Sequence, residues 1–297
     1  MDGLAPAVAS PPGTPVKTGP VKTGTVFYKM TGSGNDFLVF DGRYARLQDF
    51  TPEAVRSACD RRMGAGADGV VLLDPEAPDG AHFTFHFWNS DGSEGPMCGN
   101  GALCATRLAM LIELAPANGT VRFATQAGIH EGIVADGRPA IRLPDCPHPK
   151  RLPDARTTNG ERDVHLMVPS VPHLVLLVED VDAVDLERRG PPLRNDPAIG
   201  PGGANVNWVA GAPGGTFRMR TYERGVEGET LACGTGAVAC AVVLAELGSA
   251  KSPVQIWTRS GLPLEVAWER TRKAITSITL AGEGRLVFRG IFGESAT

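Results

Sequence analysis

No apolar run in the sequence reaches the length of a bilayer core, which excludes a helical membrane span. The cysteines, Cys59, Cys98, Cys104, Cys146, Cys233 and Cys240, include no Cys-x-x-Cys pair. That removes zinc ribbons and thioredoxin-type motifs; the six read as thiols in a reducing compartment, with no metal site expected. Basic excess is missing too. Lys and Arg number 29 against 33 Asp and Glu, for a net charge of −4, so nothing electrostatic supports a nucleic-acid partner. The N-terminus lacks the charged start and apolar core of a signal peptide, and a cytoplasmic protein is expected. What is abundant is Gly, at 37, and Pro, at 24, which fits many turns and short strands rather than a helical bundle. At 297 residues the chain has room for two domains.

One device occurs twice. Cys98 leads into Gly99-Asn100-Gly101 and a run of small and aliphatic residues to Leu114; Cys233 leads into Gly234-Thr235-Gly236 and a similar run to Leu247. The runs favour helix, and being apolar on nearly all sides they predict buried helices. The first amides of a helix lack intrahelical partners and carry partial positive charge. A cysteine placed there ionises more easily, and glycines let a carboxylate reach the bare amides. Two copies, 135 residues apart, imply two halves that face each other with a small anion between two thiols. Two acid/base groups on opposite faces of one carbon are what racemisation or epimerisation needs: one thiolate removes the α-hydrogen and the other thiol returns a proton.

The rest of the chain repeats in the same way. Residues 1–24 are rich in Pro, Gly, Ala and Thr, carry a tandem PVKTG, and are expected to be a disordered tail. Strands are predicted at 26–30, 37–40, 70–73, 83–88, 121–124, 128–134 and 140–143, with a helix from Thr51-Pro52 to about Met63. Gly64 to Gly69 matches GxGxxG formally, but a helix precedes it and a strand follows, the reverse of a dinucleotide fingerprint. Asn35 and Asn89 sit in turns; by local context alone Asn35 is a turn residue, and Asn89 is as readily a cap as a substrate contact. Pro144 to Pro153 reads as a linker, with Cys146 and His148 as solvated loop residues. The second half brings strands at 164–168, 174–178, 216–222, 254–257, 264–268, 275–280 and 285–292, with the segment 204–209 between the second and third. Its last strand is a candidate to return to the first domain.

Together, MTGSGNDFLVFD, NSDGSEGPMCGNGALCATR, Pro172-His173, ANVNW and YERGVEGETLACGTGA resemble the diaminopimelate epimerase family, from about Phe27 to Phe292. The resemblance implies an α/β (α+β) fold of two pseudo-symmetric domains, each a curved, mostly antiparallel sheet wrapped around a central helix. The expected limits are 25–143 plus about 284–297 for the first domain and 144–283 for the second. It implies a cofactor-independent isomerase interconverting LL- and meso-diaminopimelate in lysine and peptidoglycan precursor synthesis, with a homodimer as a further expectation. It assigns Cys98 and Cys233 as catalytic. Asn35, Asn89 and Asn205 would hold the distal end of the substrate and Glu223 and Arg224 the end beside Cys233. The amides of Gly99, Asn100, Gly234 and Thr235 would receive the reacting carboxylate. His173 and Glu223 would tune the two thiols, a nearby imidazolium favouring thiolate and a nearby carboxylate favouring thiol. Gly69 and Val171 depart from residues found in some members and are not assigned.

Two other readings stand beside this one. The same machinery could serve another amino acid, such as histidine or 4-hydroxyproline. Alternatively, Cys98 and Cys233 could form a disulfide in a non-catalytic redox or binding protein.

Overall fold

The computed structural model describes residues 21–293 apart from residues 96, 118, 159, 213 and 214. Each half opens with a pair of strands. In the first half β1 (Val26–Gly32) and β2 (Asn35–Asp41) lead to α1 (Pro52–Cys59), β3 (Gly69–Asp74), β4 (Phe83–Asn89) and the short β5 (Glu94–Gly95). Then come α2 (Gly99–Leu111), β6 (Val121–Thr125), β7 (Gly128–Ala135) and β8 (Arg138–Arg142), with β9 (Lys150–Arg151) closing the series. The second half runs β10 (Arg162–Met167), β11 (His173–Leu177), α3 (Leu186–Arg194), β12 (Asn205–Ala212), β13 (Thr216–Glu223) and β14 (Gly228–Thr230). It continues with α4 (Gly234–Glu246), β15 (Val254–Trp257), β16 (Pro263–Arg270), β17 (Ile275–Ala281) and β18 (Arg285–Ile291).

The pairing repeats strand for strand. β2 and β3 run parallel, as do β11 and β12; β4 and β6 run parallel, as do β13 and β15. Every other named pairing is antiparallel, and β8 joins β17 to make one continuous sheet. The last strand of each series crosses over: β9 pairs with β10, and β18 pairs with β1 along its whole length.

Two layers of core follow. The inner faces of the strands wrap α2 and α4, whose side chains join one apolar cluster. Both helices are Ala-, Leu- and Val-rich, good formers, and residues 100–106 and 236–244 are buried. The outer faces are covered by α1 in the first half and α3 in the second, each over its own cluster. Thr51 caps α1 by accepting from the Ala54 amide at 3.2 Å, and Pro52 supplies a fixed φ at the first turn.

Four expectations need correcting. α1 stops at Cys59 instead of continuing to Met63, because Asp60 turns extended and its carboxylate takes the amides of Arg62 and Met63. The tail reading fails from Val21 onward: Val21 is buried and the Gly24 amide bonds to the Phe292 carbonyl. Residues 1–20 lie outside the described residues. Segment 144–153 is more than a linker, since it contains β9, and Cys146 is buried against Ile275 through paired backbone bonds. His148 is half-buried, its Nε2 facing the Thr271 carbonyl at 3.0 Å and its Nδ1 buried without a partner among the described residues. Helix α3 was not foreseen at all, because Gly190, Pro191 and Pro192 in its second turn mask the pattern.

Candidate active site

Cys98 and Cys233 are the N-cap residues of α2 and α4 and have nearly the same backbone, φ −124°, ψ 119° and φ −130°, ψ 111°. Their carbonyls accept the first helical bonds, from Ala102 and Ala237. The two helices meet at these ends. A Cβ built on Gly234 would lie 3.7 Å from the Gly99 Cα and 3.6 Å from Asn100 Oδ1, and one on Gly99 would lie 3.8 Å from the Gly234 Cα. The two turns thus lie in van der Waals contact, and a Cβ on Gly234 would also press on Leu280 Cδ2 at 2.7 Å. Two positive helix ends therefore converge, with a sulfur at each.

Both thiols are strongly perturbed. Burial pushes Cys98 up to about 12, the Glu223 carboxylate adds to the rise, and the amides of Gly101 and Asn100 oppose it. Burial also raises Cys233, again with Glu223 adding, while the Gly236 amide and the Thr235 hydroxyl work the other way. Glu223 is itself raised by burial and accepts the Thr230 hydroxyl at 2.8 Å. Both sulfurs are thiols at neutral pH, and each has donors already aimed at the anion it would become.

The surrounding polar groups are tied down. Asn100 Nδ2 donates to Asn35 Oδ1 at 2.8 Å and reaches the Ala232 carbonyl at 3.4 Å, so it bridges the halves; its buried Oδ1 has no partner. Asn35 Nδ2 donates to Asp68 at 3.1 Å. Arg61 in turn pairs with Asp68 and Asp36, and Lys29 pairs with Asp36. Asn205 Oδ1 accepts the Arg224 amide at 2.8 Å.

A family model described as diaminopimelate epimerase matches residues 27–141 and 167–286 of this chain. The diaminopimelate epimerase of Gemmatimonas aurantiaca is 47% identical over 274 residues, covering 89% of this chain and 98% of that one. That of Aquifex aeolicus is 39% identical over 278 residues, covering 90% and 98%. The chain belongs to the diaminopimelate epimerase family. It is therefore an isomerase. Among solved structures, a hydroxyproline epimerase from Agrobacterium vitis superposes with a TM-score of 0.66 at 16% identity over 93% of this chain and 94% of that one. A phenazine biosynthesis protein of the PhzF family from Bacillus anthracis does so with 0.67 at 15%, over 91% and 98%. At such identities these show a shared fold, the curved-sheet duplication expected from the sequence.

Within this diaminopimelate epimerase fold, most of the residues singled out in the sequence come together. Cys98, Gly99, Asn100, Cys233, Gly234 and Thr235 form the two helix starts; Asn35 touches Asn100, and Glu223 lies at the end of β13 beside both thiols. Asn205 and Arg224 meet through a backbone bond, with the Arg224 guanidinium turned to the Gly202 and Gly203 carbonyls. Asn89, at the end of β4, is exposed and bonds to Ser93 in its own turn. His173 is fully buried and held down to about 3, chiefly by burial and then by the Arg224 charge. It is a neutral imidazole at working pH, not the imidazolium the sequence reading invoked. It meets Cys233 indirectly, through Thr235 Oγ1 at 2.9 Å. Asp68, Asn207 and Thr221 were missed. Asn207 alone had a signal: it follows Asn205 by two, on the inward face of an otherwise apolar strand. Among the described residues no cluster of three or more His, Cys, Asp or Glu side chains could hold a metal ion.

Proposed function

We propose that this protein interconverts LL- and meso-2,6-diaminopimelate by proton transfer between Cys98 and Cys233, without a cofactor. The observation that carries the reading is the pair of cysteine N-caps on two buried helices that meet end to end. A substrate carboxylate seated on the amides of Gly99, Asn100, Gly234 and Thr235 places the α-carbon between the two sulfurs. Its negative charge, and the charge that develops as the α-hydrogen leaves, face two helix N-termini in a cleft with little water. One thiolate takes the hydrogen and the opposite thiol protonates the other face. Asn35, Asn89 and Asn205 bind the distal amino-acid end, and Glu223 and Arg224 bind the end beside Cys233. The two lobes, residues 25–143 with 284–297 and residues 144–283, close over the substrate and exclude water. We place the reaction in lysine and peptidoglycan precursor synthesis in the cytoplasm, carried out by a homodimer.

The test is turnover of LL-diaminopimelate by the reduced protein, with meso product resolved by chiral chromatography and with histidine and 4-hydroxyproline run in parallel. Cys98→Ala and Cys233→Ala are each expected to lower kcat by roughly a thousandfold or more, since each removes one proton carrier. Near-normal turnover in either variant would overturn the two-thiol scheme. A preference for histidine or 4-hydroxyproline would move the assignment to another amino acid.

A further inference from the structure

The duplication sets equivalent strands beneath the two cysteines, and they carry different chemistry. In the first half Phe37 pairs with Gly69, and Val71 pairs with Phe87, across β2, β3 and β4. In the second half His173 pairs with Asn205, and Asn207 pairs with Thr221, across β11, β12 and β13. Register therefore matches Phe37 with His173, Val71 with Asn207 and Phe87 with Thr221. The helix glycines agree. A Cβ on Gly101 would meet Val71 Cγ2 at 3.4 Å, and one on Gly236 would meet Asn207 Oδ1 at 2.5 Å. An apolar stack, with Phe37 and Phe87 edge to face, underlies Cys98. A polar stack underlies Cys233.

The polar stack has a direction. Asn207 Oδ1 accepts the Thr221 hydroxyl at 2.9 Å, and Asn207 Nδ2 donates to the Leu174 carbonyl at 3.1 Å. Turning the amide over would bring its oxygen against that carbonyl, acceptor to acceptor, so its orientation is fixed. The second Nδ2 hydrogen faces His173 Nδ1 at 3.1 Å. In a neutral imidazole an acceptor at Nδ1 leaves the proton on Nε2. Nε2–H then donates to Thr235 Oγ1 at 2.9 Å, and the Thr235 hydrogen is left for Cys233 Sγ, 3.7 Å away. Asn205 Nδ2, 3.4 Å from Nε2, makes no bond to a protonated nitrogen and stays available to the cleft.

We propose that Asn207, held by Thr221, is a positioning residue that fixes the His173 tautomer and so turns the Thr235 hydroxyl into a hydrogen-bond donor to the Cys233 sulfur, a donor Cys98 lacks. The catalytic meaning rests on the epimerase reading; the hydrogen-bond relay does not. The charged or titratable groups that face Cys233 are Glu223, Cys98 and, through Thr235, His173, with Arg224 acting on His173.

Peptide-resolved alkylation rates of the reduced, substrate-free protein with iodoacetamide read each thiol separately. At one fixed, mildly alkaline pH, Asn207→Leu is expected to slow Cys233 labelling roughly tenfold and to leave Cys98 labelling unchanged. Thr235→Val should do the same, and Thr235→Ser should restore the wild-type rate. Long-range ¹H–¹⁵N correlation should find His173 protonated on Nε2 in the wild type. An Nδ1–H tautomer, or an unchanged Cys233 labelling rate in a folded Asn207→Leu variant, overturns the proposal. Should Asn207→Leu not fold, Thr235→Val and the tautomer spectrum decide. A wild-type protein inert towards diaminopimelate, yet showing these shifts, would sink the substrate assignment and leave the relay standing.

Discussion

Buried without a charge partner, His173 couples the acid/base site to the stability of the whole second half. Its folded value lies near 3, below the ordinary 6.5, through burial and the Arg224 charge. The folded state therefore binds fewer protons than the unfolded chain as pH falls. The sign is fixed: stability is intact above about 6.5 and is lost as pH drops from there towards 3. Full titration corresponds to up to about 5 kcal/mol at 1.36 kcal/mol per unit. His130, also lowered by burial, adds a loss of the same sign, and Glu223, raised by burial, opposes it. Between pH 6.5 and 5 the urea midpoint of the wild type should fall with acidification more steeply than that of His173→Gln. Parallel slopes would show that His173 is not buried and neutral.

At the scale of elements, the molecule is built from glycines that let elements touch, and α3 is the plainest case. A Cβ on Gly190 would stand 2.2 to 2.7 Å from ring atoms of Tyr222 on β13. Helix and sheet pack with the ring lying on bare backbone, so Gly190→Ala should lower stability by about 1–3 kcal/mol, read as a fall in urea midpoint with the slope unchanged. An unchanged midpoint would mean that α3 is free to lift away. The same helix shows where sequence reasoning fails. Residues Leu186 to Arg194 carry Gly190-Pro191-Pro192, which reads as a breaker; tertiary contact and the Asp185 cap, accepting the Arg188 amide, hold a helix regardless. By contrast α2 and α4 were legible because composition and the preceding Cys-Gly-x-Gly lie in one continuous stretch. The strands around them showed in alternation. Contacts between distant segments did not: Cys146 is buried by its pairing with Ile275, and the Asn207 stack draws its members from three strands.

For the whole molecule, the crossing of β9 into the second half and of β18 into the first ties two copies of one unit into a single sheet and brings the two helix starts face to face. The cysteines were legible as a pair because the duplication writes the same motif twice. What makes them unequal was not, because it lies in the substitution of Phe37, Val71 and Phe87 by His173, Asn207 and Thr221. The central claim is that one thiol serves each face of the α-carbon. It is tested most directly by following LL-diaminopimelate in D₂O at early times, with the deuterium content of substrate and product measured separately. Two monoprotic bases on opposite faces predict deuterium in the newly formed meso product, with the remaining LL substrate still carrying protium. Deuterium entering the substrate as fast as the product, or protium carried over into the product, would mean that a single base works both faces and would contradict the account.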